Sequence, residues 1–487
     1  MSHEELKQRI LELTERCRRL EPSSATRQSE LKEIVEYTES YLDGAGERAA
    51  YSVASADVAH HSMLRFSESP CEIEDAVEAL RLNLDGSGTN NQAPGFLGFI
   101  PSAAVYESAL GDFIAGVTNR YAGVGFAAPG VSDLEQSLIR WLAELLGYPP
   151  SAEGDLTSGG SIAALSAVVT AREARGIAGQ AIATSVVYIT SHTHHCILKA
   201  LKIAGLSHCI VREVHCGNDY RMSPENLGQS VKEDKAAGLN PWLVVATAGT
   251  TDTGAIDPMP AIADIANGND LWLHVDAAYG GAFMLCKEGR RRLDGIERSD
   301  SLMFDPHKGF FTPYGSGVIL IREGSGLLDA YQARGTYMRD VDREDLAFSR
   351  SACDYSPELS RPFRGLRLWM PLKIHGLATF RAALEEKLLL AQYCHRKLSE
   401  IDGFEVGPAP DLSIFVFRYI PKKGDVNTFN QKFFEELRRN GEVFLSTTIL
   451  DGKLMLRLAV LAIATHMDTI DLTIETLERT ATSLKGS

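Results

Sequence analysis

Five polar or glycine-rich segments lie next to short apolar runs, and their residue types are those of a cofactor site. Asp276 follows LWLHV in HVDAAYGG, and His307 and Lys308 follow SLMF in DPHKGFF. His194 lies in SHTHHC after VVYIT, TAGTTDTG follows WLVVA, and TSGGS (157–161) precedes an apolar helical pattern. Because ligands of open α/β sheets bind at the carboxyl ends of the strands, we expect these segments to meet at one edge of a sheet.

The residue types suit an aldehyde cofactor that carries a phosphate and a ring nitrogen. Lys308 supplies an amine for a Schiff base, and Asp276 supplies a carboxylate that can hold a proton on the ring nitrogen. Residues 159–161 open an apolar helix whose backbone N–H groups can bind the phosphate. His194 offers an imidazole plane to cover the ring. Each signal is weak alone, and their order at successive strand ends supports the interpretation.

Short β-branched runs alternate with helical patterns such as 161–176 in the middle of the chain. The runs are SVVYIT (185–190), CIVREV (209–214), WLVVATAG (242–249), LWLHVDAA (271–278), SLMF (301–304) and GVILIR (317–322). This alternation predicts an α/β fold with a mostly parallel central sheet and helices on both faces.

The two ends of the chain differ from its middle in their pattern of polar and apolar residues. Residues 1–82 are polar with helical periodicity, and the C-terminal part mixes amphipathic helices (380–398, 427–439) with strands such as 413–419. We expect three parts. They are an N-terminal helical segment that packs on a partner subunit (1–105), a large cofactor-binding domain (106–372) and a small C-terminal α+β domain (373–487).

The composition excludes some classes of partner. The formal net charge of −15 argues against nucleic acid and anionic membranes, since both bind a basic face. No apolar run approaches the roughly 18 residues of a membrane helix. The N-terminus lacks a signal-peptide pattern, and the eight cysteines form no CxxC pair. We therefore expect a cytoplasmic protein with reduced thiols.

Five segments resemble a known family in order and spacing. TSGGS, THHCILKA, ATAGTTDTGAIDP, HVDAAYGG and DPHKGFFTPYGSG are similar to those of the group II pyridoxal-phosphate-dependent amino-acid decarboxylases. That family includes aromatic-L-amino-acid, histidine and glutamate decarboxylases. The similarity runs from about residue 94 to the C-terminus. It implies fold type I, pyridoxal 5'-phosphate as the cofactor, and a homodimer with shared active sites.

The resemblance also implies roles for individual residues. Lys308 would form the Schiff base, Asp276 would pair with the pyridine nitrogen, and His194 would stack on the ring. The other implied cofactor-binding residues are Gly160, Ser161, Thr247, Ala278 and His307. In FLGFIPSA (96–103), Phe99 and Ser102 stand at the positions that reach the substrate.

One tyrosine bears on the reaction outcome. RGTYMRD (334–340) resembles the family's mobile loop and gives Tyr337 the role of proton donor to the substrate carbon. Plant aldehyde synthases of this family typically carry phenylalanine there, and the insect ones carry asparagine in place of the stacking histidine. Because both Tyr337 and His194 are present, we expect decarboxylation with release of an amine, with an aromatic L-amino acid as the favoured substrate.

Other functions stay open. They are an oxidative decarboxylase–deaminase that makes an aldehyde, and a decarboxylase of histidine, glutamate, aspartate or diaminobutyrate. A lyase of another kind would need Cys353 as a catalytic cysteine, and a scaffold protein would have lost the cofactor. Zinc binding by SHTHHC is disfavoured because neighbouring strand residues point to opposite faces, so no metal site is expected.

Small residues set this chain apart from the aromatic-acid decarboxylases. Gly309 follows the lysine where those enzymes usually have tryptophan, and Gly123 and Gly125 replace bulky aromatics. APGF (93–96) lacks the usual His-Pro. We expect these changes to widen or reshape the pocket. The arginines of SRPFRGLRLW (360–369) could anchor a carboxylate, and a surface or interface role is an equal alternative.

Overall fold

The computed structural model describes residues 1–53, 63–100, 103–333 and 350–485. The chain divides into two compact units, Met1–Ala93 and Pro94–Ser487. None of the described helices is both long enough and apolar enough to cross a membrane.

The first unit is mainly helical, as the polar periodic sequence predicts. Its elements are α1 (His3–Cys17), α2 (Ser24–Asp43), β1 (Tyr51–Ser52), α3 (Ile73–Leu84) and β2 (Gly88–Thr89). α1 begins with a capping box, in which the Ser2 hydroxyl accepts from the N–H of Glu5 and the Glu5 carboxylate accepts from the N–H of Ser2. β1 and β2 form an antiparallel pair.

The second unit alternates helices and strands up to residue 331. Its helices there are α4 (Tyr106–Thr118), α5 (Pro129–Leu145), α6 (Gly160–Ala174), α7 (Cys196–Ile203), α8 (Pro224–Ala236), α9 (Met259–Asn269), α10 (Lys287–Arg292), α11 (Pro306–Gly309) and α12 (Gly326–Tyr331). Its strands there are β3 (Glu153–Thr157), β4 (Ser185–Ile189), β5 (Ile210–Glu213), β6 (Asn240–Thr247), β7 (Trp272–Asp276), β8 (Ser301–Phe304) and β9 (Gly317–Ile321).

These seven strands form one sheet in the order β3-β9-β8-β7-β6-β4-β5. β9 is antiparallel to both neighbours, and the other pairs are parallel. Alternate residues of β4 pack into different apolar clusters: Val186 and Tyr188 into one, Val187 and Ile189 into the other. Burial on both faces explains why the strands are continuous apolar runs. The mostly parallel α/β fold is confirmed.

The C-terminal elements form a smaller α+β region, which is also confirmed. They are α13 (Leu366–Ser399), β10 (Phe404–Val406), β11 (Ile414–Tyr419), α14 (Val426–Asn440), β12 (Ser446–Leu450), β13 (Lys453–Ala459) and α15 (Met467–Lys485). The strands form an antiparallel sheet in the order β10-β11-β13-β12. α13 is interrupted at Gly376, whose φ of 72° is non-helical. The domain boundaries at 105/106 and 372/373 stay predictions, and the second falls inside α13.

A buried ion network lies beside β3. The Arg361 guanidinium, whose side chain is fully buried, donates to Asp155 Oδ1 at 2.5 Å and to the carbonyl of Leu156 at 2.6 Å. Arg361 also lies 3.4 Å from Glu135 Oε2. Arg364 forms a two-pronged pair with Glu358 at 2.7 and 2.8 Å. Both arginines thus form ion pairs with carboxylates of this chain, which argues against a role in anchoring a substrate carboxylate.

Candidate active site

Register places the carboxyl ends of the central strands at one edge of the sheet. Thr247 at the end of β6 is opposite Asp276 at the end of β7, and Asp276 is opposite Met303 in β8. A cavity of about 390 Å³ opens at this edge. Seven of the predicted site residues line it: Gly160, Ser161, His194, Asp276, Ala278, His307 and Lys308. The segments that the sequence placed at strand ends therefore meet in space.

Lys308 reaches the cavity from the short helix α11, directly after β8. Its Nζ lies 3.2 Å from Asp305 Oδ2, and its side chain keeps 22% of its surface exposed while that of Asp305 keeps 4%. Asp305 was not among the residues predicted from the sequence. The available signal was its spacing, since residues three apart share one face of a helical turn.

Asp276 is a buried carboxylate at the end of β7. Its Oδ1 accepts from the backbone N–H of Ala278 at 3.0 Å. Burial raises the pKa of Asp276 to about 6, and the positive charge of Lys308 opposes that rise. A carboxylate so placed gains from a cationic partner in the cavity, which a protonated ring nitrogen would supply.

His194 enters the cavity from the loop after β4. Its Nδ1 accepts from the backbone N–H of Cys196 at 3.3 Å, which leaves the proton of the neutral ring on Nε2. Burial, together with the charges of the nearby His195 and Lys308, lowers the pKa of His194 to about 4. The ring is therefore neutral at pH 7, with an Nε2–H that can donate.

The turn from β3 into α6 has the geometry of a phosphate site. Gly159 has a φ of 137°, which favours glycine, and a Cβ on Gly160 would lie only 2.9 Å from Asp305 Oδ2. The first N–H groups of a helix have no partner within it, so Gly160 and Ser161 can donate to an anion. Together with Lys308 and Asp276, this turn fits a phosphate-bearing aldehyde with a ring nitrogen.

The remaining predicted cofactor residue, Thr247, does not line the cavity. Its backbone N–H donates to Asp257 Oδ2 at 2.7 Å, and among the described residues its buried Oγ1 has no hydrogen-bond partner. His307, which does line it, has its Nδ1 against the carbonyl oxygen of Ser316. Burial lowers the pKa of His307, which favours the neutral ring.

Of the two predicted substrate residues, Phe99 and Ser102, the structure describes only Phe99. Phe99 is half exposed and packs edge-on against Phe444, with ring centroids 5.2 Å apart. Its neighbour Ile100, which the sequence did not single out, lines the cavity. Ser102 and Tyr337 lie outside the described residues.

Two of the small residues that distinguish the sequence are required by packing. A Cβ on Gly309 would lie 2.2 Å from the Cβ of Ala282, and one on Gly123 would lie 1.9 Å from the carbonyl oxygen of Leu359. Gly309 is buried away from the cavity lining. The expectation that glycine at position 309 widens the pocket is therefore wrong, because the absent side chain would point into the protein interior.

The histidine-rich segment was weighed as a zinc site. His192 Nδ1 lies 3.2 Å from Asp252 Oδ2, and the ring of His195 lies 4.1 Å from that of His194. Within the described ranges, no three histidine, cysteine or acidic side chains are grouped as metal ligands.

The known proteins that are similar to this chain include pyridoxal-phosphate decarboxylases and an aldehyde synthase. Residues 59–420 match the pyridoxal-dependent decarboxylase conserved domain. The aromatic-L-amino-acid decarboxylase of Bacillus atrophaeus is 35% identical over 398 residues, which cover 80% of this chain and 82% of the relative. The phenylacetaldehyde synthase of Arabidopsis thaliana is 29% identical over 413 residues, covering 81% of this chain and 83% of the relative.

A solved structure shows the same architecture. The crystal structure of Oryza sativa TDC with PLP and tryptamine superposes with a TM-score of 0.89 at 26% identity, covering 95% of this chain and 99% of that chain. The fold is thus type I, and the cofactor is pyridoxal phosphate. Taken with a cavity that unites an amine, a buried carboxylate and a phosphate turn, these matches show that the chain belongs to the group II pyridoxal-phosphate-dependent amino-acid decarboxylases.

Proposed function

We propose that the chain decarboxylates an aromatic L-amino acid and releases the corresponding amine and CO2. One observation carries the proposal: the amine of Lys308, the carboxylate of Asp276 and the imidazole of His194 line a single cavity. The aromatic substrate class is supported by the Bacillus relative, an aromatic-L-amino-acid decarboxylase, and by the tryptamine in the Oryza structure.

Lys308 and Asp276 would hold the cofactor at two points, its aldehyde carbon and its ring nitrogen. Lys308 supplies the amine that anchors it, and Asp276, ionised at pH 7, holds a proton at the ring nitrogen. When bound, pyridoxal phosphate takes up the electron pair that the breaking bond between Cα and the carboxylate releases. Burial of Asp276 strengthens its hold on that proton, because little water competes with it.

The other residues bind, orient and move protons. The N–H groups of Gly160 and Ser161 would bind the phosphate, and the small side chain of Ala278 would leave room for the ring. His194 would cover the ring with its imidazole, and its Nε2–H can donate a hydrogen bond. His307 would support the cofactor from the cavity lining, and Thr247, which does not line the cavity, would act from behind it. Ser102 and Phe99 stay the predicted substrate contacts, and Phe99 packs on Phe444 outside the cavity lining. Tyr337 delivers the proton to Cα, a role that rests on the sequence RGTYMRD.

The second candidate reaction is oxidative and makes an aldehyde with ammonia and peroxide. It is favoured by one observation, the 29% identity to a phenylacetaldehyde synthase. The amine is the better-supported product because Tyr337 and His194 are both present. The two reactions differ in oxygen consumption as well as in product.

The test is a substrate panel read by mass spectrometry. Tryptophan, tyrosine, DOPA, histidine, glutamate and diaminobutyrate are each incubated with the holoenzyme, and CO2, amine, aldehyde and peroxide are measured. We expect amine from an aromatic acid with the wild type. Tyr337→Phe should shift product from amine toward aldehyde, because the carbon loses its proton donor.

Two results would contradict the proposal. Aldehyde from the wild type would favour the oxidative reaction, and preference for histidine or an acidic substrate would exclude the aromatic class. Amine formation at the normal rate by Tyr337→Phe would remove Tyr337 from the mechanism. Tyr314→Phe is the matched control, since Tyr314 also lines the cavity but has no assigned proton transfer.

The active form is proposed to be a homodimer with shared active sites. α4 and α13 pack on each other, and several apolar side chains on them are exposed in the single chain. These are Phe113, Ile114, Val117, Trp369 and Ile374. Apolar surface on adjoining elements is typical of an interface with another protein chain.

A further inference from the structure

The turn after β4 carries His194 to the cavity, and threonine hydroxyls hold its backbone. The N–H of Thr190 donates to the Oγ1 of Thr193 at 2.9 Å, and the N–H of His192 donates to the Oγ1 of Thr190 at 3.2 Å. The N–H of Thr193 donates to the carbonyl of Thr190 at 3.1 Å. His192 lies inside this turn, so a displacement of His192 would also move His194, two residues later.

His192 is held by Asp252, on the loop after β6. Its Nδ1 lies 3.2 Å from Asp252 Oδ2, and its side chain keeps 11% of its surface exposed. The hydrogen bond from His192 lowers the pKa of Asp252, so the carboxylate is ionised at pH 7 and can only accept. The Nδ1 of His192 is therefore the donor. The ring of His192 also packs edge-on against Tyr220, with ring centroids 5.5 Å apart.

Asp252 is also bonded to the C-terminal sheet. Thr448 Oγ1, in β12, donates to Asp252 Oδ1 at 3.3 Å. The carbonyl of the preceding residue, Thr251, accepts from Nε of the buried Arg457, in β13, at 2.6 Å. The two oxygens of Asp252 bind different elements, so this carboxylate joins the C-terminal sheet to the turn that carries His194.

We propose that Asp252 is a positioning residue for His194: it holds His192 by a hydrogen bond and so fixes the turn that presents the imidazole of His194 to the cavity. The proposal rests on the role of His194 in the proposed function. Asp252 itself does not line the cavity, so its effect passes through the turn and not through contact with the substrate. Because Asp252 is also bonded to Thr448, a displacement of the C-terminal sheet would move the imidazole with it.

The first test is hydrogen–deuterium exchange of the full-length chain without cofactor, followed by peptide mass spectrometry. Asp252→Ala should raise the exchange rate of residues 190–196 about fivefold, because a hydrogen bond to a charged group is lost. Asp252→Asn keeps an oxygen that can accept from His192, so it should exchange within about twofold of wild type. Asp264→Ala is the matched control. It removes a carboxylate that pairs with Arg298 and should exchange like wild type.

Two exchange results would overturn the proposal. One is an exchange rate of residues 190–196 in Asp252→Ala that equals that of wild type. The other is equally accelerated exchange along β4 and β6, because the carboxylate would then stabilise the sheet as a whole and not the turn.

The second test asks whether the effect on the reaction passes through His194. In the holoenzyme, Asp252→Ala should lower kcat about fivefold and leave KM within about twofold of wild type. In a His194→Gln background, the same substitution should change kcat less than about twofold, because both changes act on one imidazole. A further fivefold loss of about the same size in that background would overturn the proposal. A His194→Gln enzyme with the kcat of wild type would instead count against the role of His194 in the proposed function, and the exchange result would still stand.

Discussion

His274 is a buried imidazole in the middle of β7, two residues before Asp276, the carboxylate that lines the cavity. Its Nδ1 is hydrogen-bonded to Ser301 Oγ at 2.9 Å, and its Nε2 has no partner among the described residues. Burial lowers the pKa of His274 to about 4. This residue is therefore neutral in the folded protein well below the pH at which an exposed histidine is protonated.

Because the pKa of His274 differs between the folded and the unfolded chain, the stability of the cofactor-free protein depends on pH. The unfolded chain binds a proton on His274 below about pH 6.5, and the folded chain does so only below about pH 4. The contribution of neutral His274 to the free energy of unfolding is therefore complete above pH 6.5 and is lost as the pH falls to 4. The asparagine of the His274→Asn variant cannot be protonated. The free energy of unfolding that is lost between pH 6.5 and 4 should therefore be smaller by about 3 kcal/mol in this variant than in wild type. Urea unfolding at several pH values between 4 and 7 measures this pH dependence of the free energy of unfolding.

Other buried groups require a control for this comparison. Asp257 and Asp276, whose pKa values burial raises to about 6, give the opposite slope between about pH 4 and 6. Their contribution cancels when wild type and His274→Asn are compared with each other. His208→Asn removes an exposed imidazole and should follow wild type. A variant curve parallel to wild type down to pH 4 would show that His274 does not titrate as described.

At the scale of elements, α11 is fixed by its contact with the 3₁₀ helix Gly280–Leu285. Gly309 of α11 lies against Ala282 so closely that a Cβ would approach that of Ala282 to 2.2 Å. Gly309→Ala should therefore lower the free energy of unfolding by about 1–3 kcal/mol through overpacking. It should also weaken cofactor retention, since α11 carries Lys308. Urea midpoints and the visible absorbance of the holoenzyme report the two effects.

Gly268→Ala is the matched control for this substitution. Gly268 lies in α9, and a Cβ there would meet nothing within 4 Å. Alanine is the better helix former, so this variant should be as stable as wild type or slightly more stable. If Gly309→Ala kept wild-type stability but rejected large substrates, position 309 would face the pocket after all.

The elements also show what the sequence could and could not reveal. The six strands after residue 180 were predictable because their burial on both faces requires apolar runs. β3 was missed, because EGDLT contains two acidic residues and reads as a loop. It is a buried strand because it pairs with β9 and because Arg361, far along the chain, pairs with its buried Asp155.

The same limit applies within the site. The residue types at strand ends predicted Lys308, Asp276 and His194 as neighbours, since parallel strands end at one edge. Periodicity could not show that the Asp305 side chain turns toward Lys308 and not toward its own helix, or that Gly309 faces Ala282. Both depend on side-chain directions that are set by tertiary contacts.

At the scale of the whole molecule, the proposed homodimer makes a direct prediction. The exposed apolar residues of α4 and α13 should be covered in solution, so light scattering after gel filtration should give the mass of two chains. Val117, with 69% of its surface exposed, should tolerate a charge in a monomer but not in an interface. Phe113→Glu combined with Val117→Glu should therefore yield monomers with little activity.

The control for this pair is Leu389→Glu. Leu389 is equally apolar and exposed with 64% of its surface in solvent, but it lies far along α13 from α4. The Leu389→Glu variant should remain dimeric. A wild type that elutes as a monomer with full activity would reject the dimer, and a monomeric Leu389→Glu would place the interface elsewhere on the chain.

The position of β9 in the sheet has a consequence for the order of folding. In the described part of the chain, β3 lies at the sheet edge and pairs with one strand, β9 (Gly317–Ile321). On a ribosome, β3 emerges early but cannot join the sheet until β9 has left the exit tunnel. Such distant pairings are slow to form. The turn after β3, which carries the proposed phosphate-binding N–H groups, is thus completed late, and a nascent chain that ends before β9 has no finished pocket to receive its cofactor.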